Sequence, residues 1–173
     1  IEEISPKALI TTPKGEKVID FGQNMVGYVR FQVNAPAGTV IELSHAEVLD
    51  ADGNFYTDNL RTAKQTIKYI TDGKQSEYKP HFTFQGFRYI RISGWYGDIN
   101  EDDFRAVVIH SDIKCTGYFE CSNAKVNKLF SNILWGQKGN FLDVPTDCPQ
   151  RDERLGWTGD AQVFVRTATF NYD

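Results

Sequence analysis

The hydrophobic period of this chain changes once, near residue 112, and that change divides what it can fold into. From Lys17 to about His110, apolar and polar residues alternate in short segments broken by turn formers, which is the two-residue repeat of strands. After Asp112 the repeat lengthens. Val126, Leu129, Phe130, Ile133 and Leu134 fall at i, i+3, i+4, i+7 and i+8, the apolar stripe of an amphipathic helix.

In the first part, Tyr28 to Val33 shows the strand pattern clearly: Val29, Phe31 and Val33 share one face, and Tyr28, Arg30 and Gln32 the other. Pro36-Ala37-Gly38 turns into Val40–His45, Asp52-Gly53 leads toward Phe55-Tyr56, and Asp72-Gly73 closes Thr66–Ile70 back toward Tyr78. With further strands at Phe87–Ile92 and Phe104–Ile109, roughly seven to nine strands are expected, the signature of a mainly β, antiparallel sandwich or jelly roll. Phe82, Phe84, Phe87 and Tyr89 read as sandwich core rather than as a sugar platform.

In the second part, Ser122 or Asn123 caps the first helix and Gly139 ends it. Another helix begins near Thr158, with Ala161, Phe164, Val165 and Ala168 on one face and Asp160 in its first turn, where a carboxylate suits the helix dipole. Two helices with one apolar face each cannot bury those faces alone, so they read as the opening of a helical domain that is not closed within these residues. Between them lies a long loop, Asn140 to Trp157.

Charge narrows the partners. With 19 Lys and Arg against 23 Asp and Glu, a net charge of −4 and no basic cluster, the chain lacks the footprint of a nucleic-acid binder, and a neutral ligand fits better. No apolar run is long enough to span a membrane, and Ile1-Glu2-Glu3 shows no targeting signal. The chain starts without Met, so the compartment stays open. Cys115, Cys121 and Cys148 form no CxxC or Cys/His array and read as reduced, mostly buried thiols. His45, His81 and His110 sit in separate strand regions, where core or surface roles are expected. No cofactor or metal is indicated.

Chemistry concentrates in Phe141 to Asp160, where five acids (Asp143, Asp147, Asp152, Glu153, Asp160) accompany Arg151, Arg154, Pro145, Pro149 and Trp157. Taken singly, each has a bland reading. Glu153 can pair with Arg151 or Arg154 at the surface, Asp147 can form an Asx-turn, Asp160 can serve the helix dipole, and Trp157 can be core. Asp143, Asp147 and Asp152 can bind Ca²⁺, although their spacing is not that of an EF-hand. Together they suit glycoside hydrolysis, which needs a protonated carboxyl beside the leaving oxygen and polar groups gripping the ring. Packing carboxylates together or against an indole is how an acid stays protonated near neutrality, while Arg151 and Arg154 keep other members ionised.

The run Asp147-Cys148-Pro149-Gln150-Arg151-Asp152-Glu153-Arg154-Leu155-Gly156-Trp157-Thr158-Gly159-Asp160-Ala161-Gln162 resembles the signature loop of bacterial α-L-rhamnosidases, glycoside hydrolase family 78. Ile19-Asp20-Phe21-Gly22-Gln23-Asn24 with Gly27, Ala46-Glu47-Val48-Leu49 and Phe84-Gln85-Gly86-Phe87-Arg88-Tyr89 resemble the concanavalin-like sandwich that precedes the barrel in that family. The resemblance implies a β-sandwich over residues 1–112. Residues 113–173 would be the start of an (α/α)6 barrel, with its active-site loop at 140–160. It implies inverting removal of terminal α-L-rhamnose from oligosaccharides or glycosides, with Glu153 as general acid and Asp147, Arg151, Trp157 and Asp160 lining the sugar pocket. The family's general base lies later in the barrel, so no residue here takes that role, these residues alone are expected to be inactive, and the rest of a parent chain is an expected partner. The competing reading is a non-catalytic carbohydrate-binding or structural sandwich.

Overall fold

Eight strands build one antiparallel ladder ahead of two helices in the computed structural model, which describes residues 2–173. They are β1 (Glu2–Ile4), β2 (Ala8–Thr11), β3 (Lys17–Val33), β4 (Val40–Ala46), β5 (Thr66–Ile70), β6 (Ser76–Tyr78), β7 (Gln85–Ser93) and β8 (Phe104–Val108). The helices are α1 (Ala124–Asn140) and α2 (Thr158–Asn171), separated by the short strands β9 (Phe141–Leu142) and β10 (Val144–Pro145).

The long strand β3 is the hub. Its first half, Lys17–Asp20, pairs with β2 on one edge and β7 on the other. Its second half carries β8 along Gly27–Phe31 and β6 along Phe31–Val33. Between the halves the register against β7 shifts, and Gly22 sits at φ +76°, a conformation that glycine adopts without steric cost. This bend lets one ladder form two leaves. Ile19, Phe31, Phe87, Ile90 and Phe104 fill the core between them. Gly27 is required for a second reason: a Cβ there would collide with the Val107 carbonyl of β8.

A carboxylate holds the bend. Asp20 Oδ1 accepts the Gly22 N–H at 2.6 Å, and Arg88 of β7 grips both oxygens, Nε to Oδ1 and Nη2 to Oδ2, each at 2.8 Å. On the reverse face of β3, Val18, Ala46 and Phe55 form a small second cluster. The Leu49–Phe55 bridge closes the segment that contributes Phe55 to it.

Helix α1 is capped by Asn123, whose side chain accepts from the Lys125 and Val126 amides. It runs to Asn140, one residue past the glycine expected to end it. Trp135 packs on the sandwich core, and buried Gln137 ties the helices together, donating to Ala168 O (3.2 Å) and accepting from Asn171 Nδ2 (2.9 Å). The apolar stripes are only partly covered: Phe130, Ile133, Leu134 and Phe164 are half-buried, while Leu129 is 57% and Val165 52% exposed.

The antiparallel β-sandwich with helices behind it agrees with the sequence, and Val29, Phe31 and Val33 are buried as the alternation requires. Three details differ. Strands β5 and β6 do not pair with each other: β5 joins β4 while β6 crosses to β3, and they meet through side chains, Tyr69 lying beside Tyr78 with 4.5 Å between ring centres and its hydroxyl 3.1 Å from Ser76 Oγ. Phe82 is not core, because a φ of +57° turns it fully outward before β7 begins. Of the cysteines only Cys148 is buried; Cys115 and Cys121 are half-buried.

The Asp20 grip gives the fold an acid sensitivity. Burial raises the Asp20 pKa, but the Arg88 and Gly22 bonds and the charges of Arg88 and Lys7 outweigh it and hold the carboxyl below its usual range. A carboxyl depressed in the folded state stabilises the fold above its unfolded pKa of about 3.9, and that contribution is lost as pH falls through the lower folded value. Asp20→Asn should therefore be less stable at pH 7 and show a flatter loss of stability below about pH 4 in urea titrations followed by circular dichroism. An unchanged acid limb would contradict this role.

Candidate active site

The loop between the helices is held at several points. Strands β9 and β10 form a tight hairpin whose turn residue, Asp143, takes φ +69°, and Thr146 ties back to Asn140 O through both N–H and Oγ1. Asp147 then closes the next turn: its N–H donates to Leu155 O (3.2 Å), and its Oδ1 accepts the Leu155 N–H (3.4 Å). Asp147 is thus a clasp across the loop rather than an Asx-turn.

Within that turn the two arginines diverge. Arg154 bonds no carboxylate, contrary to the expectation that it would keep a loop acid ionised. It stacks on the Phe84 ring at 4.6 Å and donates to Phe84 O (3.1 Å) and Gln65 Oε1 (3.2 Å). Burial lowers its pKa, yet a guanidinium keeps its charge, so carbonyl acceptors and a ring face suit it. Gln65 also bonds both backbone groups of Gly86, and a Cβ on Gly86 would lie 2.7 Å from Gln150 Cβ. That close approach explains the glycine in Phe84-Gln85-Gly86-Phe87.

Arg151 stays with the acids, but it pairs with Glu153 itself rather than with the other acids it was expected to keep ionised. Its Nη2 pairs with Glu153 Oε2 at 2.9 Å, and its Nε donates to Cys148 Sγ at 3.1 Å. The Cys148 thiol donates to Asp147 Oδ2 (3.1 Å), with Glu153 Oε2 3.7 Å from the same sulfur. Burial raises the Asp147 pKa, but the thiol and backbone N–H donors outweigh it, and the carboxyl sits below its usual range. Glu153 Oε2 has a further partner from the sandwich, Arg61 Nη1 at 3.1 Å.

Asp147, Cys148 and Glu153 offer ligand atoms within 4.8 Å of one another. Arg151 already supplies the positive charge there, bound to both the sulfur and Glu153, which opposes a cation at this cluster. The three aspartates weighed for Ca²⁺ do not converge among the described residues; Asp143 lies in the β9–β10 turn, and Asp152 accepts from Thr62.

Two concave surfaces meet at Asp147. The first, about 540 Å³, lies between the helices and is walled by Ile133, Phe141, Phe164 and Val165, with Trp157 and Asp160 at its edge. The second, about 720 Å³ and more polar, lies between the β3 bend and α1 and is lined by Gln23, Asn24, Glu47, Arg88, Trp135 and Gln150. Asp147, Trp157 and Asp160 therefore share the apolar groove. Glu153 and Arg151 do not line it; they sit behind Asp147, linked to it through Cys148. Trp157 is half exposed at the groove, so it is not core.

Residues 10–110 match the family model of the bacterial alpha-L-rhamnosidase concanavalin-like domain. The chain belongs to the bacterial alpha-L-rhamnosidase family. Residues 114–173 match the family's six-hairpin glycosidase domain. The chain is 50% identical over 170 residues to an alpha-L-rhamnosidase of Streptomyces avermitilis, covering 97% of this chain and 16% of that protein. It is similar to the crystal structure of the alpha-L-rhamnosidase from Aspergillus terreus, with a TM-score of 0.96 and 46% identity over 100% of this chain and 20% of that one. The Streptomyces avermitilis alpha-L-rhamnosidase complexed with L-rhamnose superposes with a TM-score of 0.95 at 47% identity, covering 99% and 17% of the two chains. The chain thus spans about a fifth or less of the length of these relatives.

Sequence reading missed Arg61, Thr62 and Gln65, which reach the loop from about 90 residues upstream. No local spacing signals such contacts. The sequence marks Cys148 only as a buried thiol, yet it joins Asp147 to Arg151. Burial and the Asp147 bond push its pKa up to about 11, against the opposing pull of Arg151. A thiol so raised is a poor nucleophile. Alkylation with iodoacetamide at pH 8 should label Cys115 and Cys121 before Cys148, read by peptide mass spectrometry. Labelling of Cys148 at the same rate would contradict the packing described.

Proposed function

We propose that this chain supplies the acid-bearing side of an inverting glycosidase that releases terminal, non-reducing α-L-rhamnose, with a β-sandwich over residues 1–112 and the start of the catalytic barrel over residues 113–173. The observation that carries the reading is the arrangement of Glu153. All its contacts converge on Oε2, which leaves Oε1 to face a glycosidic oxygen. Asp147, beside it, borders an apolar groove walled in part by Trp157, a surface suited to the methyl-bearing face of a deoxy sugar. Asp160 adds a polar group to that groove, and Arg151 stands behind Asp147, holding Glu153. The substrates would be rhamnose-containing oligosaccharides or glycosides.

Glu153 gives its proton to the leaving oxygen as the C1–O bond breaks, the electron pair passing to that oxygen. Water, deprotonated by a carboxylate on the opposite face, forms the new bond to C1. Such a carboxylate must lie ~6.5–9.5 Å from the acid with water between them, whereas the acids of the motif lie in one loop and the first turn of α2 that follows it. The base would come from further helices of the same barrel. The partly exposed apolar stripes of α1 and α2 offer packing surfaces for them, and the relatives are long enough to include them. These 173 residues alone would then lack turnover.

In a full-length enzyme carrying this chain, Glu153→Gln should lower kcat by ~10²–10⁴-fold with little effect on folding, since Gln keeps the shape and loses only the transferable proton. An activated aryl rhamnoside, whose leaving group needs less protonation, should lose less. Equal losses on activated and unactivated substrates would argue against the acid role.

A further inference from the structure

Three consecutive residues of the acid-bearing turn are held by one short segment of the sandwich. Asp152 Oδ2 accepts from Thr62 Oγ1 (2.7 Å), Glu153 Oε2 pairs with Arg61 Nη1 (3.1 Å), and Arg154 Nη2 donates to Gln65 Oε1 (3.2 Å). The segment links β4 to β5. Its backbone is also unusual. Of the four non-glycine residues with positive φ among those described, two are here: Arg61 at φ 57°, ψ −117° and Gln65 at φ 34°. Backbone of this kind persists only where the surrounding contacts over-determine it, and it clusters where side chains must be aimed.

What it aims is the Arg61 guanidinium, whose Nη1 lies 3.1 Å from Glu153 Oε2, the oxygen that Arg151 also holds, and 3.8 Å from Asp152 Oδ1. The two arginines differ in what they can do. Arg151 belongs to the same turn as Glu153 and moves with it, so it cannot fix the carboxylate relative to anything else. Arg61 stands on the sandwich and can.

We propose that Arg61 is a positioning residue for the general acid: it fixes Glu153 Oε2 against the β-sandwich so that Oε1 is presented to the leaving oxygen. The sandwich is then part of the catalytic machinery rather than a brace alone. This rests on Glu153 being the acid. The Arg61–Glu153 pair is half exposed, its side chains 53% and 32% accessible, so it contributes little to stability. Its loss should be felt in geometry, where a small misplacement of a reacting group is costly.

A double-mutant cycle in a full-length rhamnosidase containing this chain tests it, using an alkyl rhamnoside and an activated aryl rhamnoside. Arg61→Ala should lower kcat on the alkyl substrate by ~10²-fold with KM nearly unchanged, and lower it much less on the aryl one. Arg61→Lys should recover part of the loss, and the melting temperature should barely move. In a Glu153→Gln background, Arg61→Ala should add almost nothing. Equal losses on both substrates, or additive losses in the cycle, would overturn the proposal and leave Arg61 a domain tether while the acid assignment stands. Full activity of Glu153→Gln alone would bring down the acid assignment and this inference with it.

Discussion

The seating of Arg154 against the start of β7 is the interaction on which the order of the acidic loop depends. A loop dense in carboxylates gains little from its own ion pairs, which solvent screens. Arg154 does something else: it lies over the Phe84 ring and spends its N–H groups on Phe84 O and Gln65 Oε1. A hydrogen bond to a charged group contributes about 1.5–3 kcal/mol, and here it comes with partial burial that penalises any conformer in which Arg154 is unpaired. Gly86 allows the approach by leaving room for Gln150. Once this seat is made, Glu153 and Asp152 are carried to Arg61 and Thr62.

The same seat packs the loop against the sandwich. The β3 bend, locked by Asp20 and Arg88, brings Gln23 and Asn24 beside Asp147–Gln150 around the polar cleft. The upstream motifs that resemble the family's sandwich are therefore not scattered structural markers. Gly22 shapes the bend, Gly86 admits the loop, and Glu47 binds Asn24 at 2.9 Å in the cleft.

Local periodicity made the main elements legible. The alternation through Val29, Phe31 and Val33 gave the buried face, Ser122 or Asn123 marked the start of α1, where Asn123 is the cap, and the acidic loop stood out by its residue types alone. What escaped were choices between distant partners. Whether β6 returns to β5 or crosses to β3 depends on which edge is free in three dimensions, and a turn motif does not encode that. Phe82 reads as core by its neighbours, but its left-handed backbone sends it outward. Arg154 and Arg151 are equivalent in sequence, yet only one faces carboxylates, because the sandwich offers Arg154 a ring and two acceptors. Arg61 lies in an unremarked turn 92 residues from Glu153.

The site would be tested most directly by a crystal structure of a full-length enzyme carrying this chain, in its Glu153→Gln form, with an uncleaved rhamnoside bound. The expected result is a rhamnosyl ring against Trp157, within hydrogen-bond reach of Asp147 and Asp160, with the leaving oxygen next to the residue 153 side-chain atom that corresponds to Oε1. Sugar bound on the sandwich near Phe82, with the Trp157 groove empty, would contradict the placement of the active site in this loop.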